Sequence, residues 1–204
     1  QTNTYQAARS GVGMVYDAKS PDANGDYVRY TQQTSIANVE ANAGSWYSDG
    51  TNVYVHCSDN RVPDTNIRAF LATNSNVISG KVTIYLEGIA FEGGNQALLI
   101  QNTSSSAIPT VYAKGCEFKY SSLYNALSVL GGNTYLVNCV AAQAFRDGFN
   151  YHFQNGVLCS SVEINCTGRN KILTGVQMKI CLHDSSVCTT NCTCHVPWQV
   201  LLQE

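Results

Sequence analysis

One short stretch decides the fold of this chain, and it reads Thr134-Tyr135-Leu136-Val137-Asn138-Cys139-Val140-Ala141. Three further stretches can be laid over it: Ile84-Tyr85-Leu86-Glu87-Gly88-Ile89-Ala90-Phe91, Val111-Tyr112-Ala113-Lys114-Gly115-Cys116-Glu117-Phe118 and Ser161-Val162-Glu163-Ile164-Asn165-Cys166-Thr167-Gly168. Each is a β-rich run that reaches Gly or Asn and continues with an apolar residue. The matched Gly and Asn positions lie 27, 23 and 27 residues apart. A repeat of this length predicts a solenoid in which each copy belongs to one turn.

The Gly or Asn of each copy predicts a sharp corner between two strands, because these residue types tolerate a positive φ best. The expected corners are Gly88, Gly115, Asn138 and Asn165. Second strand-like runs lie between the copies, at residues 97–100, 126–130 and 148–152. The pattern gives each turn two or more strands and no helix. It therefore predicts an all-β fold, namely a parallel β-helix of about four to five coils over residues 77–170. A leucine-rich horseshoe is the rival, but its Leu-rich consensus and its helix are missing.

The residues that follow the corners form a column that we expect to lie inside the solenoid. This column consists of Ile89, Cys116, Cys139 and Cys166. A buried Cys behaves as a small hydrophobe, so the three thiols are predicted to be buried, stacked on successive coils and reduced. A disulfide between coils stays open as an alternative. The chain has nine Cys, and an odd number excludes complete pairing within one chain.

Two tyrosines, Tyr112 and Tyr135, occupy matched positions in neighbouring copies. Exposed tyrosines at this spacing would form a platform for stacking sugars, whereas buried ones would only fill the core. We expect both side chains to belong to the core.

A hairpin precedes the repeats, and it carries a resemblance to known proteins. Aromatic and alternating strands flank Asp49-Gly50 in the run Ser45–His56, which predicts a β-hairpin. Together with Pro63-Asp64 and Asn66-Ile67-Arg68, this run resembles the lead-in to right-handed parallel β-helix proteins of the pectate-lyase-like superfamily. Phage tail proteins and polysaccharide-active enzymes share that fold. The resemblance implies a right-handed helix with a carbohydrate groove on one solenoid face, in an extracellular, cell-surface or virion protein.

Three segments are therefore expected: a lead-in with the hairpin at residues 1–76, the coils at 77–170, and a Cys-rich tail at 171–204. The corner motif and the strand period stop after Asn170, so the tail is predicted to leave the register of the solenoid and to form a loose segment or a cap. A shifted reading frame or a truncated gene would also produce such a change. The tail contains four residues of types that can bind Zn²⁺, at Cys188, Cys192, Cys194 and His195. Their spacing fits no common zinc pattern. We therefore predict no metal site and no cofactor.

The amino-acid composition bears on whether the chain binds nucleic acid or a membrane. Only 13% of the residues are charged, about half the usual ~25%, and the net charge is −2. Nothing in this balance favours a nucleic-acid partner or an anionic membrane, and no apolar run approaches the ~18 residues of a membrane span. The opening QTNTYQAARS has neither Met nor a signal-like apolar region, which is expected of a processed product or a fragment.

The densest group of functional side chains lies in the run 146–152. Asp147-Gly148 signals a turn at a coil edge, and Asn150 and His152 share one face of the strand that follows. We expect these side chains to converge in an open groove, with Lys114 or Glu117 one coil below. The catalytic candidates are Asp147, His152 and Glu117. The substrate-binding candidates are Arg146, Asn150, Lys114 and Lys119. The alternative is that Asp147 caps a turn and that His152 is an ordinary solvated residue.

Two function classes follow from the resemblance and from this cluster. The first is a structural or adhesive β-helix protein that binds a polysaccharide or a cell-surface glycan on its solenoid face, with homo-oligomer formation left open. The second is a glycoside hydrolase or polysaccharide lyase on the same fold, which would need a second carboxylate about 5–10 Å from the first for hydrolysis. Because acidic residues are scarce near the repeats, the binding class is the preferred hypothesis.

Overall fold

The chain forms two compact units, residues 1–73 and residues 74–204, in a computed structural model. The structure describes residues 2–73 and 76–169, and beyond them the backbone of three strands between residues 181 and 195. We call the two units the N-terminal unit and the solenoid unit.

The N-terminal unit contains two small sheets and one short helix. Its strands are Tyr5–Ala8 (β1), Val12–Asp17 (β2), Val28–Arg29 (β3), Thr31–Gln32 (β4), Ser45–Ser48 (β5), Asn52–His56 (β6) and Ile67–Leu71 (β7), and its helix is Ile36–Ala41 (α1). One sheet has the order β1-β6-β5-β4 and the other β3-β2-β7. The predicted hairpin is confirmed, because β5 and β6 pair antiparallel across Asp49-Gly50. The sequence reasoning missed α1, which Ser35 caps by accepting a hydrogen bond from the backbone N–H of Asn38 at 3.2 Å.

The solenoid unit is built from successive coils of three strands each. In chain order the strands are Val77–Ser79 (β8), Thr83–Glu87 (β9), Ala90–Glu92 (β10), Leu98–Gln101 (β11), Thr110–Lys114 (β12), Glu117–Lys119 (β13), Leu127–Leu130 (β14), Asn133–Val137 (β15), Val140–Ala142 (β16), Phe149–His152 (β17), Ser160–Ile164 (β18), Thr167–Arg169 (β19), Cys181–His183 (β20), Ser186–Thr190 (β21) and Thr193–His195 (β22). Each coil contributes one strand to each of three parallel sheets. We name them sheet I (β8-β11-β14-β17-β20), sheet II (β9-β12-β15-β18-β21) and sheet III (β10-β13-β16-β19-β22).

The parallel solenoid confirms the fold predicted from the repeats. Lys114 pairs with Glu87 on one side and with Val137 on the other, which is the register obtained by overlaying the repeats. All four predicted corners have a positive φ, at 64° for Gly88, 59° for Gly115, 54° for Asn138 and 52° for Asn165. Sheets II and III therefore meet where the sequence places a residue that accepts the left-handed conformation.

The core lies inside the coils, where alternate residues of each strand point inward. Its buried members include Leu98, Ile100, Phe118, Leu127 and Leu136. The thiols of Cys116, Cys139 and Cys166 are buried in this core as predicted, and all three are free. Ile89 was expected in the same column, but it is 41% exposed. Ile89 belongs to the first coil, which has a neighbouring coil on only one side within the solenoid unit, so the end of the column is uncovered.

Thiol titration tests this view of the core. Five buried cysteines are free in the described residues: Cys57, Cys116, Cys139, Cys159 and Cys166. Burial raises the pKa of the thiols of Cys57, Cys116 and Cys159, so they are poor nucleophiles in the folded chain. We expect these five to resist a thiol reagent under native conditions and to react in denaturant without reductant. Recovery of a single thiol in denaturant would contradict a reduced core.

The Cys-rich tail differs from the expectation that it leaves the register of the solenoid. Its three described strands continue the solenoid in register, since β20, β21 and β22 pair in parallel with β17, β18 and β19. The prediction that residues 171–204 leave the register is therefore wrong for these strands. The sequence reasoning missed a repeat of the corner motif, because Asn191-Cys192-Thr193 matches Asn165-Cys166-Thr167 after 26 residues. The side chains of the zinc-type cluster Cys188, Cys192, Cys194 and His195 lie outside the described residues.

Candidate functional site

Asp147 and Asn150 lie together, as the sequence predicted, in and after the turn that leads from sheet III to sheet I. The side-chain amide of Asn150 donates a hydrogen bond to the Asp147 carboxylate at 3.1 Å. The backbone N–H of Asp147 donates to the side-chain oxygen of Asn125 at 3.1 Å, and the Asn125 amide donates to Ser128 at 2.9 Å. These contacts tie the turn to the coil below it.

The cluster is buried rather than open. Asp147 is 8% exposed and Asn150 is 3% exposed. On the same strand, Phe149 and Tyr151 point into the core, so alternation places Asn150 and His152 on the outward face as predicted. His152 is half-buried. An open groove at Asp147 was expected, but the carboxylate is buried and accepts a hydrogen bond from the Asn150 amide.

The remaining predicted residues are spread over different faces. Arg146 is exposed and packs over the ring of Tyr124 at 4.9 Å from the ring centroid. Glu117 and Lys119 both lie on sheet III, where the Lys119 ammonium contacts the Glu117 carboxylate at 2.8 Å. Lys114 lies on sheet II, beyond the Gly115 corner. The residue one coil below Asn150 in the register is Ser128, not Lys114 or Glu117.

A more prominent surface feature is a row of three tyrosines on sheet II, which we call the tyrosine ladder: Tyr85, Tyr112 and Tyr135. Neighbouring ring centroids are 4.8 and 4.6 Å apart, with interplanar angles of 8° and 9°. Tyr85 is 75% exposed and Tyr135 is 39% exposed. The expectation that Tyr112 and Tyr135 fill the core is therefore wrong. Strand alternation carried the missed signal, because Tyr112 stands between the inward residues Val111 and Ala113 and must point outward.

Polar residues flank the ladder on one side. The outward position that begins each of the strands β9, β12, β15 and β18 is occupied by Thr83, Thr110, Asn133 and Ser160. The Asn133 amide donates to the Thr110 hydroxyl at 3.4 Å, so these side chains also run along the solenoid axis. Hydroxyl and amide groups can both donate and accept hydrogen bonds, which suits a ligand that carries many hydroxyls.

An ion pair flanks the ladder on the other side. The Lys114 ammonium lies 2.7 Å from the Glu87 carboxylate, and both side chains are exposed. The hydrogen bond and the opposite charge raise the pKa of Lys114 and lower the pKa of Glu87. Further along, the column continues with the apolar Val137 and Ile164.

Glu163 occupies the interior of the solenoid. Its side chain is fully buried, and the hydroxyl of Tyr151 donates a hydrogen bond to it. Burial and the neighbouring carboxylate raise the pKa of Tyr151 well above its usual value, so the phenol keeps the proton of this hydrogen bond. A polymer outside the coils cannot reach this carboxylate.

Comparisons with known proteins identify no relative: no family model, no curated protein and no solved structure gives a significant match to the chain. In the part of the chain that the structure describes, no three His, Cys, Asp or Glu side chains form a group that could hold a metal ion. Among those same residues, no helix has the length and apolar character needed to cross a membrane.

Proposed function

We propose that this chain is a carbohydrate-binding β-helix protein that holds a polysaccharide on the tyrosine ladder of sheet II. We also propose that the helix is right-handed and of the pectate-lyase-like kind found in phage tail proteins and polysaccharide-active enzymes. The protein then acts as an adhesive or structural module on a glycan outside the cell, at a cell surface or on a virion. The observation that supports the proposal is the exposed ladder with its column of hydroxyl and amide side chains.

The geometry of the rings defines how they would contact a sugar. Because the rings stack on one another, Tyr112 has both faces covered and offers its edge and its hydroxyl. Tyr85 belongs to the first coil, so one face of its ring is free of any neighbouring ladder ring. A sugar ring would stack on that free face, while further sugars along the solenoid axis would hydrogen-bond to the phenol and Thr hydroxyls.

The enzyme alternative has less support from the described residues. Hydrolysis needs two carboxylates about 5–10 Å apart at the substrate. Glu163 is sealed inside the coils, Glu117 is held by Lys119, and Asp147 is buried. Binding is therefore the proposed role, and the release of reducing ends is measured beside it.

Tyr85→Ala is expected to weaken polysaccharide retention by about tenfold or more, which corresponds to about 1.4 kcal/mol of lost stacking and burial. Tyr112→Phe keeps the ring stack and removes one hydroxyl, so a smaller loss is expected. Affinity electrophoresis through gels that contain single polysaccharides measures both changes. Phe153→Ala is the matched control, since Phe153 is an exposed aromatic residue outside the ladder.

Three outcomes would contradict this proposal. Retention that is unchanged in Tyr85→Ala and Tyr112→Phe would remove the ladder as the site. Retention that is lost in Asp147→Asn but not in Tyr85→Ala would move the site to the buried cluster. Reducing ends that appear with the natural chain and vanish in Asp147→Asn would favour the enzyme alternative.

A further inference from the structure

We infer that the ligand of the tyrosine ladder is a neutral polysaccharide rather than a polyuronate or a sulfated glycan, an inference that rests on the proposed function. On β9, β12, β15 and β18, the strands of sheet II whose side chains the structure describes, the outward residues include two charged side chains, Glu87 and Lys114. The other outward side chains on these strands are hydroxyl, amide, phenol or aliphatic groups. A ligand on this face therefore meets few charges.

The two charges also compensate each other. The Lys114 ammonium and the Glu87 carboxylate are 2.7 Å apart, at adjacent positions of neighbouring coils. An anionic sugar that approaches Lys114 would have to compete with a carboxylate that is already in contact, and it would be repelled by that carboxylate. Lys81 lies outside the sheet, in the turn that precedes β9.

Charged side chains are concentrated on another face. The outward positions of sheet III carry Glu92, Glu117, Lys119 and Arg169. The contrast with sheet II lies in the number of charges, because sheet III carries four charged residues and the stacked aromatic rings stand on the face that carries two. Neutral hydroxyls match the phenol, Thr, Ser and Asn groups there without leaving a buried charge unpaired.

The test uses the full chain with two sets of probes: dextran, mannan and hydroxyethyl cellulose as neutral polymers, and polygalacturonate and alginate as anionic polymers. We expect at least one neutral polymer to retain the chain. This retention should change by less than about twofold when the salt concentration is raised from ~0.05 to ~0.5 M, because salt screens interactions between charges and a neutral polymer has none. The anionic polymers should not retain the chain. The double variant Glu87→Gln with Lys114→Met leaves this face uncharged, so it should gain no retention by the anionic polymers.

The single variant Glu87→Gln makes the test sharper. It leaves Lys114 without its partner, so it should gain retention by polygalacturonate that disappears at high salt. No gain in this variant would overturn the inference, because charge on this face would then not decide the ligand. Ladder-dependent retention of the natural chain by polygalacturonate or alginate would also overturn it while leaving the proposed function intact. Retention that no ladder variant changes, with any polymer, would instead overturn the proposed function.

Discussion

Replacing Arg61 by Met is expected to lower the free energy of unfolding of the N-terminal unit by about 3–5 kcal/mol, the cost of leaving a buried charge without its partner. Arg61 holds the Asp17 carboxylate with two parallel hydrogen bonds of 2.8 and 2.9 Å. Asp17 is buried, and it also accepts a hydrogen bond from the hydroxyl of Tyr30 at 2.8 Å. Met fills a similar volume but supplies no donor, so the carboxylate would remain in the core with its charge uncompensated.

The pH dependence of this loss tests whether the Asp17 carboxylate, rather than packing, contributes to it. Burial alone would raise the pKa of Asp17, but hydrogen bonds from Arg61, the Lys19 backbone and Tyr30 outweigh it and hold the pKa below the ordinary 3.8. In the natural chain this group therefore stabilises the fold above pH 3.8, and the contribution is lost as pH falls through the lowered pKa. Without Arg61 the carboxylate loses two hydrogen bonds and the neighbouring positive charge, so the pKa of Asp17 rises. The natural chain loses more stability than the variant as pH falls, so the difference in unfolding free energy between them should shrink towards acid pH.

Urea unfolding at several pH values measures both effects, with Trp46 as the reporter in a Trp198→Phe background. Lys19→Met is the matched control, because the ion pair of Lys19 with Asp59 is exposed and should leave the unfolding midpoint nearly unchanged. A deficit in Arg61→Met that stays constant from neutral to acid pH would show that lost packing, not the Asp17 charge, destabilises the unit.

The solenoid could be predicted from the sequence because its determinants are local. A corner needs a residue that accepts a positive φ, and Gly or Asn at Gly88, Gly115, Asn138 and Asn165 supplies it directly. The strands of the tail were harder to predict. Their pairing with β17, β18 and β19 uses main-chain groups that every residue carries. The residue signal for it was missed: Asn191-Cys192-Thr193 repeats Asn165-Cys166-Thr167 after 26 residues.

The candidate site was predicted less well, for a different physical reason. Composition and turn signals brought out Asp147 and Asn150, and these two side chains do meet. Their burial depends on how the turns of successive coils stack, which no local pattern encodes. For Tyr112 and Tyr135, the aromatic character suggested core, whereas strand alternation gave the correct outward direction. In a solenoid the period of 2 is therefore a better guide to exposure than hydrophobicity.

Gly131 occupies a backbone position of the solenoid that leaves no room for a side chain. It precedes β15 at a φ of 60°, and a Cβ built there would lie 2.7 Å from the amide nitrogen of Asn102 and 2.9 Å from the carbonyl oxygen of Gln154. Asn102 cannot move away easily. Its side-chain amide donates to the Gln154 carbonyl at 3.0 Å, and its backbone carbonyl accepts from the Gln154 side chain at 2.9 Å. These bonds join the second and fourth coils across the short turn of the third.

Gly131→Ala is therefore expected to lower the free energy of unfolding of the solenoid by about 2–5 kcal/mol. A side chain in the left-handed region costs about 1–2 kcal/mol, and overpacking against Asn102 and Gln154 costs about 1–3 kcal/mol. Gly115→Ala separates the cost of the backbone conformation from the cost of overpacking. Gly115 has nearly the same φ, 59°, but a Cβ there meets nothing within 4 Å, so this variant should lose only the smaller conformational term. Urea unfolding followed by circular dichroism compares the two variants. Equal losses would show that the clamp between Asn102 and Gln154 yields to a methyl group and does not hold the coils together.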